Sequence, residues 1–211
     1  MEKRTLRGRA AIVGIGESRY YRHGKSPEPE FKLALRAILA ACEDAGINPR
    51  DIDGFSAHAN DRNEATRLAT ALGIKEFRFA GMQWGGGGGG ACAGVANAAA
   101  AVATGMADCV VAFRALAQGE FGRLGRATYG ESISGERSFF VPYGMISAVQ
   151  RYSPKVMRFM VEHGIQQDCL RAIALASYHH AQTNPRAVMY GRPLDAAKYD
   201  ASCASSGTSS S

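Results

Sequence analysis

The clearest pattern in the chain is a helical one near its start. In the stretch PEPEFKLALRAILAACEDAG, the apolar residues between Phe31 and Cys42 recur every three or four positions, which predicts an amphipathic helix. Glu28 and Glu30 lie near its beginning, where negative charge interacts favourably with the helix dipole. Gly46 follows the last apolar position and predicts that the helix ends there in a left-handed cap.

Short apolar runs alternate with helical patterns over the first part of the chain. Four runs predict strands: residues 9–18, 52–58, 75–84 and 108–115. Three segments between them predict helices: residues 28–46, 63–74 and 91–104. The last run is apolar without interruption, which indicates a strand buried on both faces. This alternation predicts an α/β fold in which a mixed or parallel sheet lies between layers of helices.

The pattern changes after residue 116. Residues 116–145 are rich in glycine and arginine without a period, and long excursions of this kind often form binding loops or dimer contacts in α/β enzymes. Two helices follow, separated by Gly164 and ended by Asn184 and Pro185. We therefore divide the chain into a core (1–116), a loop and helical region of the same domain (117–200) and a serine-rich tail (201–211) that we expect to be disordered.

Composition narrows the class of protein without naming a function. The 211 residues are 46% hydrophobic and 21% charged with a net charge of +6, which is ordinary for a globular protein. No block of like charges indicates nucleic-acid binding, and no signal-peptide pattern follows the basic start. The weakly polar residues 91–103 are too few to span a membrane. The 5 cysteines lack metal-site or disulfide spacing, so we expect a cytoplasmic protein with free thiols and no metal.

Six consecutive glycines, residues 85–90, stand between the third predicted strand and an alanine-rich helix. A flexible linker is one interpretation, but a linker does not ordinarily join a strand to a buried helix so abruptly. A phosphate-binding loop is a second interpretation, although the run lacks the Lys-Ser/Thr that closes a P-loop. The third, which we favour, is a tight turn that lets neighbouring backbones and a substrate approach the helix.

The stretch GGGGGGACAGVANAAAAVATGMADCVVAFRA, residues 85–115, resembles the thiolase superfamily around its nucleophile, in particular the lipid-transfer-protein or sterol-carrier-type branch. Further segments are similar to the same branch in the same order: AIVGIGESRY, ACEDAGINPRDIDGF, RYSPKVMRFMVEHGI and TNPRAVMYGRPL. The resemblance implies a thiolase-like layered α/β fold. In such a fold a mixed five-stranded sheet packs on a central buried helix, and a helical and loop excursion is added.

In this superfamily a nucleophilic cysteine lies at the start of the buried helix, where the helix dipole stabilises its thiolate. Counting back from GMADCV places the family's nucleophile at about Gly88, where this chain has no cysteine. Cys92 follows one turn later, and we interpret it as a small core residue. The alternative is a shifted register in which Cys92 is the nucleophile. Three further cysteines lie in apolar helix or strand patterns and are expected to be structural: Cys42, Cys109 and Cys169.

Members of this branch without the cysteine resemble retro-aldolases that cleave a carbon–carbon bond in the side chain of a steroid-like CoA thioester. They generally work with a small partner protein of the OB-fold/zinc-ribbon type. The resemblance implies an enzyme of acyl-CoA thioesters, either acetyl-CoA acetyltransferase-like or a lyase, with coenzyme A as part of the substrate and no other cofactor. The residues expected to contact the substrate are Gly87, Gly89, Gly90, His58 and Arg123.

Two of these residues are chosen for their chemistry and position. His58 ends a predicted strand, where α/β enzymes place site residues. Arg123 belongs to a group of arginines on or near the excursion: Arg114, Arg123, Arg126 and Arg137. Solvated surface is the ordinary role of such residues, and contact with CoA phosphates is the alternative, because guanidinium suits phosphate.

Thiolase-like chains resemble two repeated halves. The resemblance implies that the catalytic histidine and second cysteine of the family belong to the C-terminal half, to which no segment of this sequence is similar. The switch from GRPLDAAKYDAS to CASSGTSSS suggests a truncated or frameshifted product. One face of the alanine-rich helix would then be uncovered, which monomeric proteins rarely tolerate. We therefore expect a homodimer, aggregation or a partner chain. The alternative function is a non-catalytic acyl-CoA or lipid-binding subunit, or an inactive fragment.

Overall fold

The computed structural model describes residues 6–21, 24–58, 62–84, 89–117, 133 and 135–206. The chain divides into two compact units, Met1–Arg126 and Ala127–Ser211. The described part of the first unit alternates helices and strands: α1 (Glu30–Ala45), β1 (Gly54–His58), α2 (Ala65–Leu72), β2 (Phe79–Gln83), α3 (Gly90–Ala103) and β3 (Val110–Phe113). The described part of the second unit contains α4 (Ala148–His163), α5 (Asp168–Gln182) and α6 (Ala196–Ser206). Short 3₁₀ turns occur at Pro49–Asp51, Gly135–Phe139 and Val141–Tyr143.

Glycines end the first two helices, as the sequence predicts. Gly46 after α1 has a φ of 67° and Gly73 after α2 has a φ of 70°, a left-handed conformation that favours glycine. Beyond the first of these glycines, the amide of Ile47 donates to the carbonyl of Cys42 at 2.9 Å. Each helix therefore stops where the chain turns toward the next strand.

The three described strands form one parallel sheet in the order β2-β1-β3. The register places Ser56 of β1 beside Gly81 of β2 and Ala112 of β3. The predicted alternation of strand and helix is therefore confirmed between β1 and β3. The mixed five-stranded sheet is not found among the described residues, where the sheet has three strands and all are parallel.

The expectation of a first strand at residues 9–18 is wrong, because this segment forms no strand. The side chains of Ile12, Val13 and Ile15, which give it a strand-like apolar pattern, are 75%, 62% and 76% exposed. An apolar run favours a strand but does not supply the neighbour with which a strand must pair. The segment instead lies along the surface of α1.

Glycine lets this N-terminal segment lie directly on α1. A Cβ atom on Gly14 would overlap the carbonyl oxygen of Ala41, and one on Gly16 would overlap the carbonyl oxygen of Ala37. Between the two glycines, the amide of Ile15 donates to a carboxylate of α1 at 2.8 Å. The segment's backbone is therefore bonded to the helix rather than to the sheet.

α1 and α2 cover one face of the sheet and form the core with it. Phe55 of β1 is almost fully buried and belongs to the same cluster as Ile38 of α1 and Leu68 of α2. Its ring meets the ring of Phe113 edge-on, with the centroids 6.0 Å apart. Burial of each such side chain stabilises the fold by about 1.5–3 kcal/mol. The apolar stripe predicted for α1 is thus its core face.

α3 packs on the strands with only one of its own faces. Its buried positions recur at helical spacing: Gly90, Gly94, Ala98 and Ala101. Ser56 points from β1 toward this helix and donates from Oγ to the carbonyl of Gly94 at 2.7 Å. Away from this face, Cys92 and Val95 are exposed, Val95 by 39%. The expectation of a centrally buried helix is therefore correct for one face of α3 and wrong for the other.

β3 is less buried than its apolar sequence predicts. Val110, Val111 and Phe113 are half-buried, and Ala112 is exposed. β3 is at the edge of the described sheet, so a neighbouring strand shields it on one side only. The expected burial on both faces is therefore wrong.

The second unit contains the two predicted helices and one more. Ser147 begins α4 with a reciprocal cap, in which its side chain accepts from the amide of Gln150 and its own amide donates to the side chain of Gln150. Gly164 ends α4 with a φ of 64°. α6 reaches Ser206, so residues 201–206 are helical where the sequence predicts a disordered tail, and residues 207–211 lie outside the described ones. In the described part of the chain, no helix combines the length and apolarity that crossing a membrane requires.

Gly16→Ala should release the N-terminal segment from α1, because the added methyl group would overlap backbone atoms. We expect faster amide hydrogen exchange at Ile15 than in the unsubstituted protein. Gly94→Ala is the matched control, because the nearest atoms to its Cβ would be 3.8 Å away and alanine favours a helix over glycine by about 1 kcal/mol. Unchanged exchange at Ile15 in Gly16→Ala would contradict this packing.

Candidate functional site at the carboxyl edge of the sheet

Parallel strands present their carboxyl ends at one edge of the sheet, which is where α/β proteins bind ligands. β1 ends at His58, β3 is followed by Arg114, and the chain after β2 leads to the start of α3. Because Ala57 is paired with Phe113, His58 and Arg114 are the next residues on two neighbouring strands. This edge therefore brings together a histidine, an arginine and the beginning of a helix.

His58 and Arg114 form a polar pair in which the histidine is buried and the arginine is exposed. His58 is 6% exposed, and its Nδ1 lies 2.8 Å from Nη1 of Arg114. A guanidinium group has donors only, so the imidazole nitrogen accepts this hydrogen bond. Side chains alternate between the faces of a strand, which places His58 on the same face as Ser56 and hence on the side of α3.

The hydrogen bond between Ser56 and Gly94 sets the height of α3 on the sheet. Four residues of a helix rise by about 6 Å, and two residues of a strand by about 6.7 Å. α3 begins at the carboxyl edge, so Gly90 is one turn above Gly94, at the level of His58. The first turn of α3, whose amides have no partner within the helix, therefore lies level with the His58–Arg114 pair.

A buried carboxylate holds the segment that carries Arg114. Glu30 at the start of α1 is 3% exposed and accepts from the amide of Ala117 at 2.7 Å. Its other oxygen accepts from Nδ2 of Asn63 at 3.4 Å. Hydrogen bonds to an ionised group are about twice as strong as neutral ones. Glu30 therefore fixes the course of the chain directly after β3, and with it the position of Arg114.

The charges at this edge favour an oxygen atom that carries or develops negative charge. The beginning of α3 contributes the positive end of a helix dipole, equivalent to roughly half an elementary charge. Arg114 adds a full positive charge beside the His58 ring. Within the described residues, no group of three or more His, Cys, Asp or Glu side chains could hold a metal ion. The arrangement suits a carbonyl, carboxylate or enolate oxygen.

The structure places some of the predicted site residues and leaves others untested. His58 lies at the edge, Gly89 is the N-cap of α3 and Gly90 is its first residue. Three predicted residues lie outside the described ones: Gly87, Gly88 and Arg123. Arg114 is exposed, as expected for a residue of the solvated surface, but the sequence does not predict its contact with His58. The sequence contains a signal for this contact, because Arg114 directly follows a predicted strand. Residues in that position lie at the carboxyl edge of a parallel sheet, where α/β proteins bind ligands.

Cys92 is not brought to the His58–Arg114 pair. It precedes Gly94 by two residues and therefore lies about 200° away around the helix. It is exposed on the open side of α3, so the expectation that it is a small core residue is wrong. The reason is the same one that leaves Val95 exposed: α3 is covered on one face only. A nucleophilic role for Cys92 stays a prediction.

Two other cysteines behave as structural residues. Burial raises the pKa of the Cys42 thiol. Burial also raises the pKa of Cys109, and the carboxylate of Asp53 is a further cause. Because the thiolate is the reactive form, a raised pKa makes both thiols poor nucleophiles.

A cavity of about 470 Å³ lies on the other side of the sheet. Phe55, Ala57 and Met82 line it together with Asn63 at the start of α2. These strand residues alternate with Ser56 and His58, so they point toward α1 and α2 rather than toward α3. The sheet therefore separates this cavity from the His58–Arg114 pair.

No protein-family model matches the chain, but two curated proteins are similar to most of it. The 17-hydroxy-3-oxo-4-pregnene-20-carboxyl-CoA lyase of Mycobacterium tuberculosis is 38% identical over 195 residues, which are 90% of this chain and 50% of that protein. The steroid side-chain-cleaving aldolase of Thermomonospora curvata is 36% identical over 196 residues, which are 90% of this chain and 49% of that protein. The chain spans about half the length of these relatives.

A solved structure, the Ltp2-ChsH2(DUF35) aldolase, superposes with a TM-score of 0.81 at 35% identity, covering 93% of this chain and 49% of that one. The 3-oxoacyl-[acyl-carrier-protein] synthase 2 of Staphylococcus aureus is 36% identical over 69 residues, 30% of this chain and 17% of that protein. The homologues that cover the chain are thus steroid side-chain-cleaving aldolases, related to a thiolase-like fold. They agree with the lyase expectation, and they do not support an acetyltransferase.

Ser56→Ala should loosen α3 on the sheet, because it removes a buried hydrogen bond and leaves the Gly94 carbonyl without this donor. We expect the free energy of unfolding, measured by urea denaturation, to fall by about 1–2 kcal/mol. Ser153→Ala is the control: its Oγ bonds to a carbonyl of the exposed helix α4, and its loss should have little effect. Equal denaturation midpoints for the two variants would argue against this role of Ser56.

Proposed function

We propose that the chain takes part in the retro-aldol cleavage of a carbon–carbon bond in a steroid-like acyl-CoA thioester. Support comes from two relatives, similar over 90% of the chain, whose names specify a CoA lyase and a side-chain-cleaving aldolase. The structural observation that carries the proposal is the His58–Arg114 pair at the level of the first turn of α3. Coenzyme A enters as part of the substrate, and no other cofactor is proposed.

The reaction follows from the substrate in the name of the first relative, a 17-hydroxy steroid with a 20-carboxyl-CoA group. The carbon that bears the hydroxyl is bonded to the carbon next to the thioester carbonyl. A base takes the hydroxyl proton, the C–O bond becomes a ketone C=O, and the bond between carbons 17 and 20 breaks. Its electron pair moves onto the thioester oxygen as an enolate, which is then protonated on carbon to release a shorter acyl-CoA.

The residues at the carboxyl edge have the chemistry that this step requires. Negative charge develops on the thioester oxygen, so donors fixed around that oxygen lower the barrier. A ring N–H of His58 and the amides of the first turn of α3 supply donors, and Arg114 holds the His58 ring through its hydrogen bond to Nδ1. Loss of one such donor slows comparable reactions by about 10²–10³.

The glycine run extends the site in this proposal. Backbone N–H groups are offered to the thioester by Gly87, Gly89 and Gly90. These residues flank Gly88, where the resemblance to the superfamily predicts a nucleophilic cysteine. Arg123 contacts the CoA phosphates, because its planar guanidinium can donate two parallel hydrogen bonds to phosphate. The net charge of +6 is consistent with an anionic ligand.

We also propose that the chain acts within an assembly. The similar solved structure is named for two components, Ltp2 and ChsH2(DUF35), which supports a second polypeptide, of the small OB-fold/zinc-ribbon type that the resemblance implies. The open face of α3 supports contact with another chain, and a second copy of this one would form the expected homodimer.

The lyase reaction needs no thiolate, so Cys92→Ala should retain cleavage of the acyl-CoA to within about twofold. His58→Leu, by contrast, removes a proposed donor and should slow cleavage by about 10² or more. Turnover is measured as the appearance of the ketone product. Intact-mass spectra after incubation with acetyl-CoA provide a second measurement, and an acyl group found on Cys92 would refute the proposed mechanism.

A non-catalytic acyl-CoA-binding subunit is the second candidate, and the exposure of Cys92 on the side of α3 away from the His58–Arg114 pair favours it. Calorimetric titration compares the binding of a steroid-like acyl-CoA with the binding of ATP. Turnover is assayed for this chain alone and in the presence of the part of a relative that this chain does not match, supplied as a separate polypeptide. We expect the thioester to bind and to be cleaved in the complete assembly. Binding without cleavage in that assembly would favour the subunit, and preference for ATP would contradict both candidates.

A further inference from the structure

The hydrogen bond between Arg114 and His58 constrains where the imidazole carries its proton. Nη1 of Arg114 lies 2.8 Å from Nδ1 of His58. A guanidinium group has five N–H donors and no acceptor, and it does not lose its charge in proteins. A proton on Nδ1 would therefore point at another N–H group. The contact is compatible only with a histidine whose Nδ1 is an acceptor.

We infer that Arg114 is a positioning residue that holds His58 in the tautomer with its proton on Nε2, so that the ring offers an N–H donor at the level of the first turn of α3. The hydrogen bond made by one ring nitrogen of a histidine determines whether the other nitrogen carries the proton. The tautomer itself follows from geometry alone. The use of this N–H by a thioester oxygen rests on the proposed function.

Burial limits the movement of the ring. His58 is 6% exposed, whereas Arg114, which contacts its Nδ1, is exposed. None of the described residues hydrogen bonds to Nε2 of His58. The described side-chain atoms that are buried without a partner do not include this nitrogen, so Nε2 reaches solvent and is open to a ligand oxygen.

Arg114 is itself held in place from both sides along the chain. Before it, β3 is in register with β1 up to the pair of Ala57 and Phe113. After it, the amide of Ala117 donates to the buried carboxylate of Glu30. The backbone on either side is thus bonded, which fixes the base of the Arg114 side chain opposite His58.

This assignment separates two roles in the reaction. A histidine that presents N–H can stabilise the enolate oxygen, but it cannot accept the hydroxyl proton through the same nitrogen. His58 is therefore a hydrogen-bond donor in the cleavage step, and the base that takes the hydroxyl proton is another group. Arg114 acts through His58.

Nitrogen-15 NMR of the histidine side chains tests the tautomer in the unsubstituted full chain. The signals of His58 are assigned by their loss in His58→Gln. They should show that Nε2 is protonated and that Nδ1 is a hydrogen-bond acceptor. Arg114→Met should turn this into a mixture of tautomers. Arg151→Met, the same replacement on the exposed helix α4, should leave it unchanged. A proton on Nδ1 in the unsubstituted protein, or an unaltered His58 spectrum in Arg114→Met, would overturn the inference.

Kinetics test the use of the donor. Arg114→Met should lower kcat by about tenfold with little change in KM, a loss similar to the smaller ones found when the partner that orients a metal-bound histidine is removed. In a His58→Leu background, Arg114→Met should have no further effect, because it acts through the ring. Additive losses would show that Arg114 acts independently. A protein with no turnover but with the Nε2 tautomer would contradict the proposed function and leave the tautomer assignment standing.

Discussion

The candidate site depends on how closely α3 lies on the sheet. The residues that face the strands are glycine or alanine, and Ser56 donates to the carbonyl of Gly94 across this contact. Because the helix touches the sheet through backbone and methyl groups, its height is set by one hydrogen bond rather than by large side chains. That height puts Gly90 at the level of His58. A bulky side chain at Gly94 would separate the amides of the first turn from the histidine.

The two edges of the sheet are organised differently. At the amino edge, Asp53 accepts hydrogen bonds from the amides of Asp108 and Cys109, both at 2.8 Å, and ties the start of β3 to β1. This tie sets the register that makes His58 and Arg114 neighbours at the other end. The carboxylate at one edge accepts from backbone amides and pairs with Arg78, whereas the imidazole at the other retains a ring nitrogen to which no described residue hydrogen bonds. The hydrogen bonds at the amino edge thus stabilise the fold, and the carboxyl edge holds the candidate site.

Local sequence pattern predicted most of the described helices and strands, but it did not predict which segments contact one another. The period of α1 and its glycine cap predicted that helix within a few residues. The apolar run at residues 9–18 predicted a strand that the structure lacks, because pairing depends on a neighbour that no local pattern specifies. For the same reason the sequence placed His58 at a strand end but missed Arg114, whose role arises from register between distant segments. The exposed side of α3, which carries Cys92, likewise depends on what covers the helix.

The geometry of α3 also bears on which chemistry the edge can support. Acyl transfer requires a thiolate directed at the thioester, and the cysteine nearest the start of the helix lies on the side away from the His58–Arg114 pair. Retro-aldol cleavage requires only that charge on the thioester oxygen be stabilised while a base acts on a distant hydroxyl. In the function that we propose, amides and an imidazole N–H supply that stabilisation without a covalent intermediate. Lyase chemistry would then need only the donors at this edge, whereas transferase chemistry would need a thiol as well.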